Sequence, residues 1–331
     1  MGKEVCGCMG QEIGERQRWA WLAAALSAVA AACLCGYHWL WVLLGSLVVT
    51  IYYMYMDRQV EPQGMAVTLT LALGTVGRIL AALTLVWTLL VMGWAASLAD
   101  TAFPMVDGFP VLGWALLALT AWGCRKGPAA CAKCCGVLCL FLMALYGVVV
   151  VFAVPDVSWG NLRMSGSWTE VLWSIGLFLT PAAVWYAPCV KSKKTPAWSM
   201  AVVLPLSAAA LAAVTAGVLT PKLAASRPVP LYDLAQSVSL FGVVERIEPL
   251  LSAAMTMGVF ALLSVLACAC QSLADQLRPW KWSGTACCAA AGAAMYLSGT
   301  MPVELITAGG MVFWVAIPLI AVGIRKFRTG A

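Results

Sequence analysis

Residues 19–56 form a run of 38 without a single Asp, Glu, Lys or Arg. As one helix the run would reach about 57 Å, nearly twice a hydrocarbon core of about 30 Å. It therefore folds back on itself. Cys35-Gly36-Tyr37-His38 is the turn, which predicts helix 1 over 19–35 and helix 2 over 38–56. Tyr52, Tyr53 and Tyr55 come next to Asp57 and Arg58 at the end of helix 2, where aromatic rings mark a membrane interface.

The same pattern recurs along the chain. Hydrophobic residues make up 63% of the 331 and charged residues only 10%, with a mean hydropathy of +0.90. That composition cannot be hidden inside a soluble fold, so the expected class is an all-α polytopic membrane protein. The expected domains are a cytoplasmic tail over 1–18, one ten-helix membrane domain over 19–324 and a cytoplasmic tail over 325–331. No short apolar core with a small-residue cleavage site follows the first charges, so no removed signal peptide is expected.

The later spans are read from apolar runs and their breakers. Residues 65–98 exceed one span, so the first dozen are expected along the surface, with helix 3 beginning near Gly77 and Arg78 snorkelling to the headgroups. Helix 4 is predicted over 109–123 and helix 5 over 134–154. Helix 6 covers 170–188, and Gly176 and Thr180-Pro181 interrupt its middle, because Pro181 lacks a backbone donor and crowds the preceding turn. Helix 7 covers 197–219, an amphipathic segment 231–247, helix 8 248–270, helix 9 283–298 and helix 10 304–324. Pro249 suits the first turn of helix 8.

This ten-helix arrangement puts both termini on one side. It distributes the 20 Lys and Arg residues as sixteen there against four, Arg163, Lys222, Arg227 and Arg246, opposite. By the positive-inside rule both termini are cytoplasmic. The formal charge of +6 is spread over short loops and not gathered on one face, so no nucleic-acid partner is expected.

Groups that carry chemistry are few. There is no phosphate-binding glycine loop, no His-based metal motif and no nucleophile elbow, and no acid, base or nucleophile lies deep in a span beside a matching partner. No enzymatic activity and no cofactor are expected. His38 sits at the first turn and reads as an interfacial residue. The 14 Cys residues read as small packing residues, although Cys131, Cys134 and Cys135, with Cys124 nearby, offer donors for zinc at the cytoplasmic edge without a second clean CxxC pair.

The stretch 232–264 places Glu245, Arg246 and Glu248 against an apolar run. Glu245 and Glu248, three apart, share a helix face. Two readings fit them: an ion or ligand contact near the far mouth of the bundle, or a helix start where carboxylates favour the positive end of the dipole. Glu170 and Glu304 also begin spans. The break at Gly176, Thr180 and Pro181 differs, because unwound backbone at membrane depth needs protein or a water-filled cavity around it. It is the candidate ligand-binding element.

The segment SVSLFGVVERIEPLLSAAMTMGVFALLS, with its Glu245 to Glu248 core, resembles the region around helix 8 of the spore germination permease family, the B subunits of bacterial germinant receptors. LGTVGRIL before helix 3 and WGNLRM before helix 6 support it, and the likeness is clear over roughly 156–277. The resemblance implies a LeuT-like fold, that of amino acid, polyamine and organocation transporters, with two inverted five-helix repeats and a small molecule bound between interrupted helices 1 and 6. It also implies a bacterial cell or spore inner membrane, A-type and C-type receptor subunits as partners besides the lipid bilayer, and sensing of an amino acid-like germinant.

Helix 1 departs from that pattern, being the Ala-rich WAWLAAALSAVAAACLC without a Gly or Pro interruption, and helix 6 reads FLTPAAVW where a Pro-Phe-Gly-Glu type of break is expected. Three functions follow: a germinant-sensing subunit, a secondary amino acid or amine transporter, and a structural membrane subunit without a ligand pocket. A polar cavity between 25–31 and 176–182 favours the first two, whereas close Ala packing there favours the third.

Overall fold

The computed structural model describes residues 13–60, 62–102, 110–163, 168–190, 198–227, 229–237, 248–280, 282–298 and 301–329. Nearly all of it is helix. Helix α1 (Glu15–Ala32) ends in a 3₁₀ turn, Leu34–Gly36, and α2 (Trp39–Gln59) follows directly. His38 caps α2, its Nδ1 accepting from the Leu40 N–H at 3.3 Å. The fold-back expected at 35–38 is therefore present, and its geometry explains the histidine: Nε2 lies 3.3 Å from the Arg163 carbonyl, so the ring ties the turn to the loop that contains Arg163.

The lead-in to the third span differs from expectation. Residues Met65–Leu73 form a separate helix, α3, and α4 runs from Thr75 to Ala102. Met65 and Leu69 are fully buried, so α3 does not merely lie along the surface. It packs against α4 and against the last helix of the chain. The joint falls at Gly74, whose φ of 59° lies in the left-handed region, and not at Gly77. Gly77 has another role: a Cβ there would stand 2.2 Å from the Leu69 carbonyl oxygen, so the sharp fold of α3 onto α4 depends on its absence.

Helices α5 (Val111–Cys124) and α6 (Pro128–Ala153) are joined by a tight turn, with Pro128 at the first helical position. The next helix is α7 (Thr169–Phe178), which gives way to a 3₁₀ segment, Thr180–Tyr186. Then come α8 (Trp198–Leu219), α9 (Pro221–Ser226) and α10 (Pro230–Ser237), and α11 (Glu248–Leu277) with Pro249 in its first turn as expected. The chain closes with α12 (Ser283–Ser298) and α13 (Val303–Met311), which continues through a π segment, Val312–Ala316, into α14 (Ile317–Thr329).

Among the described residues, six helices are long and apolar enough to cross a membrane: Trp39–Gln59, Thr75–Asp100, Pro128–Asp156, Val202–Leu219, Pro249–Leu277 and Val303–Phe327. Their outward faces carry large apolar side chains that water would penalise, such as Ile51 at 67% exposure and Leu140 at 71%. Helix α11 is the most enclosed of the six. It touches α1, α4, α5, α6 and α12, and every residue over 261–270 is buried. Small residues bring the backbones together there, as in other membrane helix pairs.

One end of the bundle is clasped. Ile13–Gly14 (β1) pairs in parallel with Cys189–Val190 (β2), just beyond the 3₁₀ segment. The Cys189 N–H donates to the Pro62 carbonyl at 2.7 Å and its thiol to the Ile13 carbonyl at 2.9 Å. Gly64, at φ 89°, lets the loop lie against the Tyr186 carbonyl, which a Cβ would approach to 2.6 Å. Arg18, assigned by sequence to a tail, lies within α1 and is 4% exposed. It pairs with Asp57 at 3.4 Å and lies 4.9 Å from the centre of the Trp185 ring.

Candidate functional site

The interruption expected at Thr180-Pro181 is present, and its consequences can be followed atom by atom. An α-helix would use the residue-181 N–H to satisfy the Leu177 carbonyl, and proline has none. The Thr180 hydroxyl donates to that carbonyl instead, at 2.7 Å. The chain then tightens, and Ala182 N–H bonds back to the Leu179 carbonyl at 2.9 Å in 3₁₀ fashion. This leaves the Phe178 carbonyl, which accepts from the Tyr53 hydroxyl of α2.

The π segment repeats the arrangement. Pro318 cannot serve the Trp314 carbonyl, and the Tyr52 hydroxyl does so. Tyr186, at the end of the 3₁₀ segment, donates to the Phe313 carbonyl at 2.9 Å. The tyrosine triplet of α2 is thus not an interfacial belt. Tyr53 is 1% exposed and Tyr52 half-buried, and only Tyr55 faces out, 5.9 Å from the Lys326 ammonium. Sequence reasoning missed this role because a tyrosine near a predicted helix end looks the same whether its hydroxyl meets water or a carbonyl. The prolines at 181 and 318, each orphaning a carbonyl, were the signal that donors had to be found.

Around the break there is little room. Gly176 lies against α13, where an added Cβ would come within 1.9 Å of Thr307 Cγ2. Thr180 and Pro181 are both buried. Helix α1 packs directly on α11, with Ala28 about as close to Gly258 as two helices allow, since a Cβ on the glycine would be 3.1 Å from that of Ala28. The Trp185 indole N–H has no partner among the described residues, yet its ring is walled in by Trp19 at 6.4 Å, Tyr53 at 6.1 Å and the Arg18 guanidinium. No carboxylate is buried among the described residues.

A pocket of about 170 Å³ opens on the opposite face of α1. Ala23, Leu26, Ser27 and Ala30 form one wall, and α6, α8 and Phe178 the others. It is almost wholly apolar. It lies between the two stretches expected to flank a ligand, with Leu26, Ser27 and Ala30 of 25–31 on one side and Phe178 of 176–182 on the other; Gly176, Thr180 and Pro181 do not line it.

The charged cluster is only partly placed. Glu245 and Arg246 lie outside the described residues, while Glu248 opens α11. Glu170 and Glu304 fall in the first turns of α7 and α13, as the helix-start reading expects. Glu170 accepts from the His38 N–H at 3.1 Å. Nearby, burial pushes the Tyr37 phenol up to about 12, with the negative charges of Cys33, Glu304 and Glu170 adding to the effect.

The cysteines gather differently from the expected zinc set. Cys134 is exposed, and the Cys135 thiol lies 3.3 Å from the Ser264 hydroxyl. Instead Cys124 and Cys131 meet Cys268 of α11, with all three sulfurs within 4.8 Å of one another. Cys268 had no local motif to announce it. The chain matches no protein-family model and no curated protein.

Proposed function

We propose that this chain is a non-catalytic membrane subunit of the spore germination permease type, a transporter-derived bundle whose central site is packed shut and which serves its partners as a scaffold. The observation that carries this reading is the state of the helix break. A zwitterionic amino acid at membrane depth needs donors for its carboxylate and acceptors for its ammonium. Here the carbonyls freed by Pro181 already accept from Thr180 and Tyr53, and the space between α1 and Phe178 is lined almost wholly by apolar atoms.

The ancestry part of the proposal rests on counting and pairing. Adding α1, α5, the α7 and 3₁₀ pair and α12 to the six long helices gives ten spans. Let α1, α2, α4, α5 and α6 correspond to α7, α8, α11, α12 and α13 with α14. Three pairs of neighbours then map onto neighbours, α1 beside α6 onto α7 beside α13, α2 beside α7 onto α8 beside α1, and α4 beside α12 onto α11 beside α5, while α1 beside α11 has no such counterpart in α7 beside α4. An inverted repeat produces this exchange. It supports a LeuT-like arrangement with both termini cytoplasmic.

A second reading, sensing of a small apolar germinant, is favoured by the pocket between α1, α6 and α8. Uptake in vesicles and germination of spores lacking the chain separate the two. The scaffold reading expects no saturable amino acid uptake, and loss of an A-type partner subunit from the spore membrane when this chain is deleted. Saturable uptake of any amino acid, or normal partner levels with loss of the response to one nutrient, overturns it.

A further inference from the structure

Three thiols drawn from positions up to 144 residues apart converge at one end of the bundle. Cys124 ends α5, Cys131 lies in the first turn of α6, and Cys268 lies on α11. All are buried, and their sulfurs fall within 4.8 Å of one another. Cys124 and Cys268 are 3.8 Å apart and all three are free thiols, so none is held in a bridge with an S–S bond of about 2.05 Å.

Alanine occupies the neighbouring small buried positions, Ala129, Ala132, Ala267 and Ala269, so at these three positions sulfur replaces a methyl group at one shared point. Metal–sulfur bonds of about 2.3 Å set sulfurs about 3.8 Å apart in a tetrahedral site and about 4.0 Å in a trigonal one. The observed spacing meets the first distance for one pair, and the widest separation needs to close by less than about 1 Å. The first turn of α6 presents its positive dipole end to anionic sulfur, and Arg125 and Lys126 follow Cys124 directly.

We infer that Cys124, Cys131 and Cys268 form a buried binding site for a soft monovalent cation, copper(I) by its ligand chemistry. The cluster supplies three donors, all thiol sulfur. Structural zinc takes four ligands, whereas soft sulfur donors select copper(I), and a three-coordinate set leaves it complete. Binding displaces thiol protons, so affinity falls as the medium is acidified. The ion joins α5, α6 and α11 through one centre.

The test uses the full chain in detergent, reduced and under nitrogen, titrated with copper(I) against a chromophoric copper(I) chelator. One ion per chain is expected to be retained, with X-ray absorption showing three sulfur neighbours at about 2.3 Å. Cys268→Ser is expected to weaken retention at least tenfold, and Cys139→Ser, a buried thiol outside the cluster, to leave it unchanged. Copper is expected to raise the unfolding temperature of the parent and not that of Cys268→Ser. If Cys268→Ser aggregates, Cys131→Ser gives the same readout. Failure to retain stoichiometric copper, or equal retention by a monodisperse Cys124→Ser/Cys268→Ser variant, overturns the site. Preferential retention of zinc with a nitrogen or oxygen ligand overturns its assignment to copper.

Discussion

Helix α1 and the interrupted helix beside it lie at the centre of the same bundle and handle their polar backbone in opposite ways. Helix α1 is an unbroken Ala-rich rod from Glu15 to Ala32, and it approaches α11 closely because Gly258 offers no side chain. The helix from Thr169 gives up its ladder at Phe178, and neighbouring hydroxyls serve the freed carbonyls. A broken helix can thus have its freed carbonyls served from within the bundle. The hydroxyls of Thr180 and Tyr53, which already serve the Leu177 and Phe178 carbonyls, are what the scaffold reading proposed above rests on.

Substitutions ordered by expected effect probe that contrast, each read as thermal unfolding in detergent. Gly176→Leu drives a side chain into Thr307, so a loss of about 3 kcal/mol or more is expected. A near-neutral result would mean that the break has slack, and the closed-site reading would fail. Tyr53→Phe keeps the ring but strips the donor from the buried Phe178 carbonyl, at a cost of about 1–3 kcal/mol. Thr180→Val, equal in shape, is expected to cost about 1 kcal/mol because it orphans the Leu177 carbonyl.

Pro181→Ala sharpens the comparison from the other side. Since Thr180 already serves the carbonyl that proline cannot, the change is expected to stay within about 1 kcal/mol. Smallest is Ala208→Leu, directed into the apolar pocket. It is expected to be neutral or to add up to about 1 kcal/mol, and a clear loss would place a tightly packed wall where the pocket now stands.

Much of this architecture is visible in the sequence because membranes punish ambiguity. The fold-back at Gly36, the proline break at 181 and the start of α11 at Pro249 all follow from local backbone chemistry. What escapes is non-local. That Tyr53 and not Tyr55 turns inward depends on which face of α2 meets α7, and Cys268 finds Cys124 only because α11 runs through the middle of the bundle. The division of α3 from α4 was misplaced by three residues, because Gly74 and Gly77 look alike on paper and differ only in the conformation each adopts.

The short pairing of Ile13–Gly14 with Cys189–Val190 has a mechanical consequence. The interrupted helix runs from Thr169 through the 3₁₀ segment to Tyr186. In this chain the lower half of that helix is stitched to the start of α1, and Arg18 fastens the same corner to Asp57 of α2. A displacement of the first strand therefore drags the 3₁₀ segment and the base of α2 with it. The corner behaves as a rivet through three separate elements, the start of α1, the end of the 3₁₀ segment and the last turn of α2.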